Sequence, residues 1–106
     1  MAWIALTVAG LFEVVWAFSM KQSAGFTRPL ASTITIVAMI VSFWLLAYSM
    51  RTLPLGATYM IWTGIGAVGA FVIGIAWLGE PVNLIRVLAA VLIVSGLILM
   101  KVATPG

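Results

Sequence analysis

Four apolar runs, at roughly 3–20, 30–50, 55–78 and 83–101, leave this chain few folds to choose from. Each is close to the ~20 residues that a helix rising ~1.5 Å per residue needs to cross ~30 Å of hydrocarbon. Strands are excluded, because four isolated strands cannot satisfy their backbone groups in lipid. The chain is 65% hydrophobic and 7% charged over 106 residues. A soluble domain of that size cannot hide so much apolar surface, so lipid is part of its solvent. The expected fold is all-α, a single four-helix transmembrane domain over 1–106 with no soluble appendage.

Turn chemistry separates the runs. Lys21-Gln22-Ser23-Ala24-Gly25 offers polar residues and a helix-ending glycine. Arg51-Thr52-Leu53-Pro54 and Gly79-Glu80-Pro81-Val82-Asn83 each place a proline where a helix can begin. The first run is too apolar, and too little basic at its start, for a cleaved signal peptide, so it counts as part of the working protein. The absence of cysteine and histidine excludes disulfides, thiol catalysis and the usual zinc sets. No metal and no cofactor is expected. A net charge of +3 is small and scattered, so no nucleic-acid surface is expected.

Basic residues barely choose a side. Lys21, Arg28 and Arg86 fall at one end, Arg51 and Lys101 at the other with the amino terminus. Three against two is too small a bias for the positive-inside rule, and insertion both ways round is as open as a single orientation. Four short helices also leave little room for a guarded aqueous pocket. Residues 1–53 and 54–106 show no similarity, whereas secondary transporters commonly use inverted repeats about a central site. A second copy inserted upside down supplies that symmetry, so an antiparallel homodimer is expected.

Glu13 stands out inside this apolar frame. It is one of two acids in the chain, and the only one within a run. An ionisable group at membrane depth points by default to a substrate, ion or proton site. A structural buried acid would want a basic partner, and no Lys or Arg occurs at that depth. Ala9, Gly10, Trp16 and Ala17 neighbour it at helical spacing. Helix 2 offers Thr35, Ala38, Met39 and Ser42 on one face, and helix 3 offers Tyr59, Trp62, Thr63 and Gly66. A carboxylate with aromatic walls and hydroxyls is what a small cation needs in a dry site. Duller roles fit some of these residues too. Trp16, Tyr59 and Trp62 lie near helix ends, where aromatics also anchor interfaces, as Trp3 and Trp77 do. Ser42 can bond its own helix backbone. Glu80, beside Gly79 and Pro81, reads as a solvated helix-start charge.

Helix 3 carries Gly64, Gly66, Gly69 and Gly74. Gly66, Ala70 and Gly74 recur every four residues, a spacing for close helix packing, while Gly64 and Gly66 also permit a hinge. On helix 4, Ala89, Ile93, Gly96 and Met100 form a stripe without ionisable groups, suited to a dimer contact.

Over essentially its full length the chain resembles the small multidrug resistance family. The matching stretches are Phe12-Glu13-Val14-Val15-Trp16-Ala17, Lys21 with Ser23 and Gly25-Phe26-Thr27-Arg28, Ser42-Phe43, Leu53-Pro54-Leu55-Gly56, Tyr59 with Trp62-Thr63-Gly64-Ile65-Gly66, Gly79-Glu80 and Lys101. Trp16 after Glu-Val-Val, and Trp-Thr-Gly-Ile-Gly on helix 3, look like the guanidinium-exporting branch rather than the quaternary-ammonium branch. The resemblance implies an antiparallel dual-topology dimer in the bacterial cytoplasmic membrane that exports guanidinium in exchange for protons. It implies that Glu13 binds both, that Trp16 and Ser42 orient the carboxylate, and that Tyr59 and Trp62 line the site. Gly10 and Met39 complete the lining. Ala57-Thr58 and Met60 depart from the family pattern and bear on substrate range. A polyspecific exporter of hydrophobic cations is the alternative on the same architecture, and a passive small-ion channel the less favoured one.

Overall fold

In the computed structural model, which describes residues 1–104, the chain forms four helices: α1 Ala2–Gln22, α2 Pro29–Ser49, α3 Leu55–Leu78 and α4 Leu84–Ala103. All four are long and apolar enough to cross a membrane. Residues 105–106, the end of the expected domain, lie outside the described residues.

Each helix end has a local cause. Ser23 closes α1 by donating its hydroxyl to Met20 O at 2.7 Å and accepting from Phe26 N–H at 3.0 Å. The turn that follows runs through three left-handed residues, Ala24, Gly25 and Phe26. Two of them carry a Cβ that disfavours this conformation, and Thr27 holds the turn by donating to Ala24 O at 2.9 Å. Pro29 opens α2 at its first position, where its missing N–H costs nothing. Pro54 precedes α3 in extended conformation, and Thr58 Oγ1 donates back to Pro54 O at 2.6 Å. α3 ends on Gly79 with φ 68°, the left-handed turn that glycine makes without steric cost. Asn83 caps α4 by accepting the Arg86 N–H at 2.9 Å.

The helices form a flattened array of 42 × 34 × 16 Å. α1 packs chiefly against α2 and α3, α2 and α3 also touch, and α4 packs chiefly against α3. The α1–α2 seam buries Thr35, Ala38, Ser42, Leu46 and Ser49 in three-to-four spacing against Leu6 and Ala9. Glycines set the other seams. A Cβ at Gly10 would come within 2.7 Å of Ile65, and one at Gly69 would overlap Val14, so α1 and α3 approach backbone to side chain. Gly64 faces Leu97 of α4 in the same way. α3 runs unbroken through Gly64 and Gly66.

α4 buries none of its residues. Its far end is tied back by Lys101, whose ammonium sits 4.5 Å from the Trp3 ring centroid. Ala89 and Ile93 line a cavity of about 290 Å³ shared with α3, and a Cβ at Gly96 would meet open space.

Candidate functional site

Glu13 lies halfway along α1, on the side that faces α3. Its carboxylate rests on the backbone of Gly66, so closely that a Cβ at that position would overlap it. Oε1 is buried and has no hydrogen-bond partner among the described residues. Trp16 Nε1, one turn along the same helix, is buried and unpartnered in the same sense. Buried polar atoms are nearly always paired, so this acceptor and this donor each call for a partner from beyond the four helices. Glu13 forms no ion pair among the described residues.

Ser42 and Trp62 are joined to α1 by a different route. The Ser42 hydroxyl donates to Ala9 O at 2.7 Å, and the Trp62 indole N–H donates to Ser42 Oγ at 3.0 Å. Both side chains are buried. In an α-helix the Ala9 carbonyl also accepts the N–H of residue 13. The chain Trp62–Ser42–Ala9 therefore ends on the peptide group that anchors Glu13, and it ties three helices together at that level. The role is specific to Ser42. Thr35 and Ser49 lie in the same seam, yet they donate to Ala31 O and Leu46 O within α2. The resemblance implies that Ser42 acts on the Glu13 carboxylate. In this single subunit its proton is committed to Ala9 instead.

Aromatic rings wall the same level. Trp16 and Phe43 meet edge to face at 6.3 Å, as do Phe43 and Trp62 at 5.6 Å, and Trp62 and Tyr59 lie tilted at 5.6 Å. Phe43 is the residue that sequence reasoning overlooks. It bridges Trp16 to Trp62, and its only signal is its place next to Ser42. Tyr59 is 53% exposed, so the aromatic row opens at one end of the array. Gly10 is buried against Ile65, and Met39 is half-buried beside Ala38. Ala57 and Thr58 are buried, with the Thr58 hydroxyl spent on Pro54, while Met60 points outward at 56% exposure. A cavity of about 540 Å³ lies elsewhere, between the start of α1 and the α2–α3 turn at Tyr48, Arg51 and Thr52. It is remote from the carboxylate.

Removing the Ser42 hydroxyl leaves the buried Trp62 N–H without an acceptor, a loss of about 1–3 kcal/mol. Ser42→Ala is expected to lower the melting temperature in detergent and to shift tryptophan emission. An unchanged melt and spectrum would show that the Trp62–Ser42–Ala9 link carries no stability.

Comparison with known proteins gives the family. Residues 1–102 match the Small Multidrug Resistance protein family. The chain is 53% identical over 104 residues to the guanidinium exporter of Yersinia pseudotuberculosis, covering 98% of this chain and 100% of that one. It is 55% identical to the guanidinium exporter of Salmonella typhimurium over 104 residues, 98% and 99% of the two chains. The guanidinium exporter of Escherichia coli (strain K12) is 53% identical over the same length and shares. Four membrane-crossing helices, a lone acid at mid-depth and this full-length likeness place the chain in the small multidrug resistance family of membrane exporters.

Proposed function

We propose that the protein exports guanidinium and small guanidinyl cations across the bacterial cytoplasmic membrane in exchange for protons, as an exporter and not an enzyme. The observation that carries this reading is the buried, unpartnered Oε1 of Glu13 on Gly66. Guanidinium presents paired N–H donors in one plane, which match a carboxylate fork better than a spherical cation does. The Ser42 link to Ala9 holds the segment that carries the acid, and Trp16, Phe43 and Trp62 offer ring faces to a flat cation.

One carboxylate cannot hold a proton and pair with a cation on the same oxygens. That exclusivity produces exchange if only loaded protein changes which side it faces. The working unit of this proposal is an antiparallel, dual-topology homodimer of the single four-helix domain. Glu13 is only half-buried within one subunit, and the orphaned Trp16 N–H needs an acceptor that a cation does not supply. Glu13 of the partner subunit would supply it. Two such acids titrate as a coupled pair. If both release a proton for one monovalent cation, two protons move per substrate. α4, with no buried residue, supplies the dimer contact through Ala89, Ile93 and Gly96, and Gly64 and Gly66 act as the hinge of α3.

Solid-supported-membrane electrophysiology on the purified protein tests the reading. Guanidinium should give currents that a proton gradient drives, and a tetraalkylammonium should compete poorly. Equal competition would favour a polyspecific exporter, and flux indifferent to the proton gradient would favour a passive channel. Trp16→Gly should change the ratio of apparent KM between guanidinium and a bulky cation by roughly tenfold or more, the scale on which pocket shape discriminates. An unchanged ratio would remove Trp16 from the site.

A further inference from the structure

The second acid of the chain lies somewhere other than its sequence suggests. α4 takes its cap from Asn83, three residues beyond Glu80. Glu80 instead belongs to the end of α3. The left-handed turn at Gly79 sends it back along the helix, its N–H donates to Gly74 O at 3.0 Å, and its carboxylate lies over Gly74. A Cβ on Gly74 would stand 2.6 Å from Glu80 Oε1.

Glu13 is held in the same manner over Gly66. The only two acids in the chain therefore lie on one small-residue stripe of α3, Gly66-Ala70-Gly74, eight residues apart. At ~1.5 Å per residue that is roughly 12 Å along the helix. A cavity of about 120 Å³ occupies the space between, in the α1–α3 groove, with Ala17, Lys21, Ala70, Ile73 and Glu80 in its walls. Ala17 is one turn beyond Glu13, and Ala70 one turn beyond Gly66. The cavity is several times the ~30 Å³ that a water occupies in the liquid.

Glu80 has no ion pair among the described residues. Lys21 shares this cavity with it, and Arg86 shares the α3–α4 cavity, but the Arg86 guanidinium donates to Pro81 O at 3.1 Å. A carboxylate left uncommitted on a cavity whose walls at Ala17 and Ala70 lie one turn short of another carboxylate is a landing place for a cation. The Lys21 ammonium on the same cavity keeps the stay short, and a conducting route needs sites that bind weakly enough to release.

We propose that Glu80 is a peripheral binding site for the transported planar cation, which pairs with its carboxylate over Gly74 before it moves on to Glu13. The proposal rests on the guanidinium-export reading above.

The test uses full-length protein reconstituted in liposomes, with guanidinium as the probe. Glu80→Gln should raise the apparent KM roughly tenfold at low salt, the lower end of electrostatic focusing, while the maximum current stays unchanged. The difference should shrink as ionic strength rises, and Glu80→Asp should stay near wild type. A KM within twofold of wild type across the salt series would overturn the proposal, and so would a reduced maximum with unchanged KM, the mark of a structural role. Wild-type protein without guanidinium current would overturn the export reading and this site with it. Wild-type current indifferent to Glu80 would overturn the peripheral site alone.

Discussion

Glu13→Gln is expected to reduce guanidinium current in liposomes to background and to remove its dependence on a proton gradient. Glutamine keeps the shape of the side chain over Gly66 and removes only its charge and its titration. Deleting one partner of a buried charge pair costs about 2–5 kcal/mol, roughly 30- to several-thousand-fold in affinity. The loss of pH dependence is the sharper readout. Under the proposed exchange, proton and cation compete for one acid in the unaltered protein. Below the pH at which that acid takes up its proton, apparent guanidinium affinity should fall about tenfold per pH unit for each proton displaced. A slope near one marks a single proton per cation, and a slope near two marks a coupled pair. The variant should show a flat line. Retained pH-driven transport in Glu13→Gln would remove this residue from the centre of the mechanism.

Much of this arrangement is legible in the residues themselves. Four apolar runs divided by glycine and proline specify four membrane helices, because backbone groups in lipid have no other economical solution. Glu13 announces itself because a lone acid at mid-depth has no structural excuse. Other features depend on which faces meet. Ser42 carries the same hydroxyl as Ser49, and nothing local says that one reaches Ala9 while the other bonds within α2. Gly64 and Gly66 look equivalent in the chain, yet they face Leu97 of α4 and Glu13 of α1, on opposite sides of α3. Phe43 gains its place only when Trp16 and Trp62 come up on either side of it. Glu80 reads as the start of α4 because proline follows it, but the left-handed turn at Gly79 gives it to α3. Each of these depends on tertiary register, which a single chain of apolar runs does not encode in any short motif.

Gly66→Ala should be nearly as damaging as loss of the acid, although it removes no functional group. A methyl at this position would overlap the Glu13 carboxylate and come within 2.7 Å of its Cγ. Either the side chain leaves its seat or α1 and α3 separate, and each outcome misplaces the one group that proton and cation share in the proposed exchange. Misplacing a reacting or binding group by ~1 Å can cost about 100-fold. Guanidinium transport is therefore expected to fall by at least tenfold. Gly56→Ala provides the matched control on the same helix, since a Cβ there meets nothing within 4 Å. Alanine is the better helix former by roughly 0.5–1 kcal/mol, so the control should be neutral or slightly stabilising. Helix content and elution in detergent separate a displaced carboxylate from an unfolded protein. A folded Gly66→Ala variant with wild-type guanidinium affinity and wild-type pH slope would show that the close seat of Glu13 on α3 is packing alone.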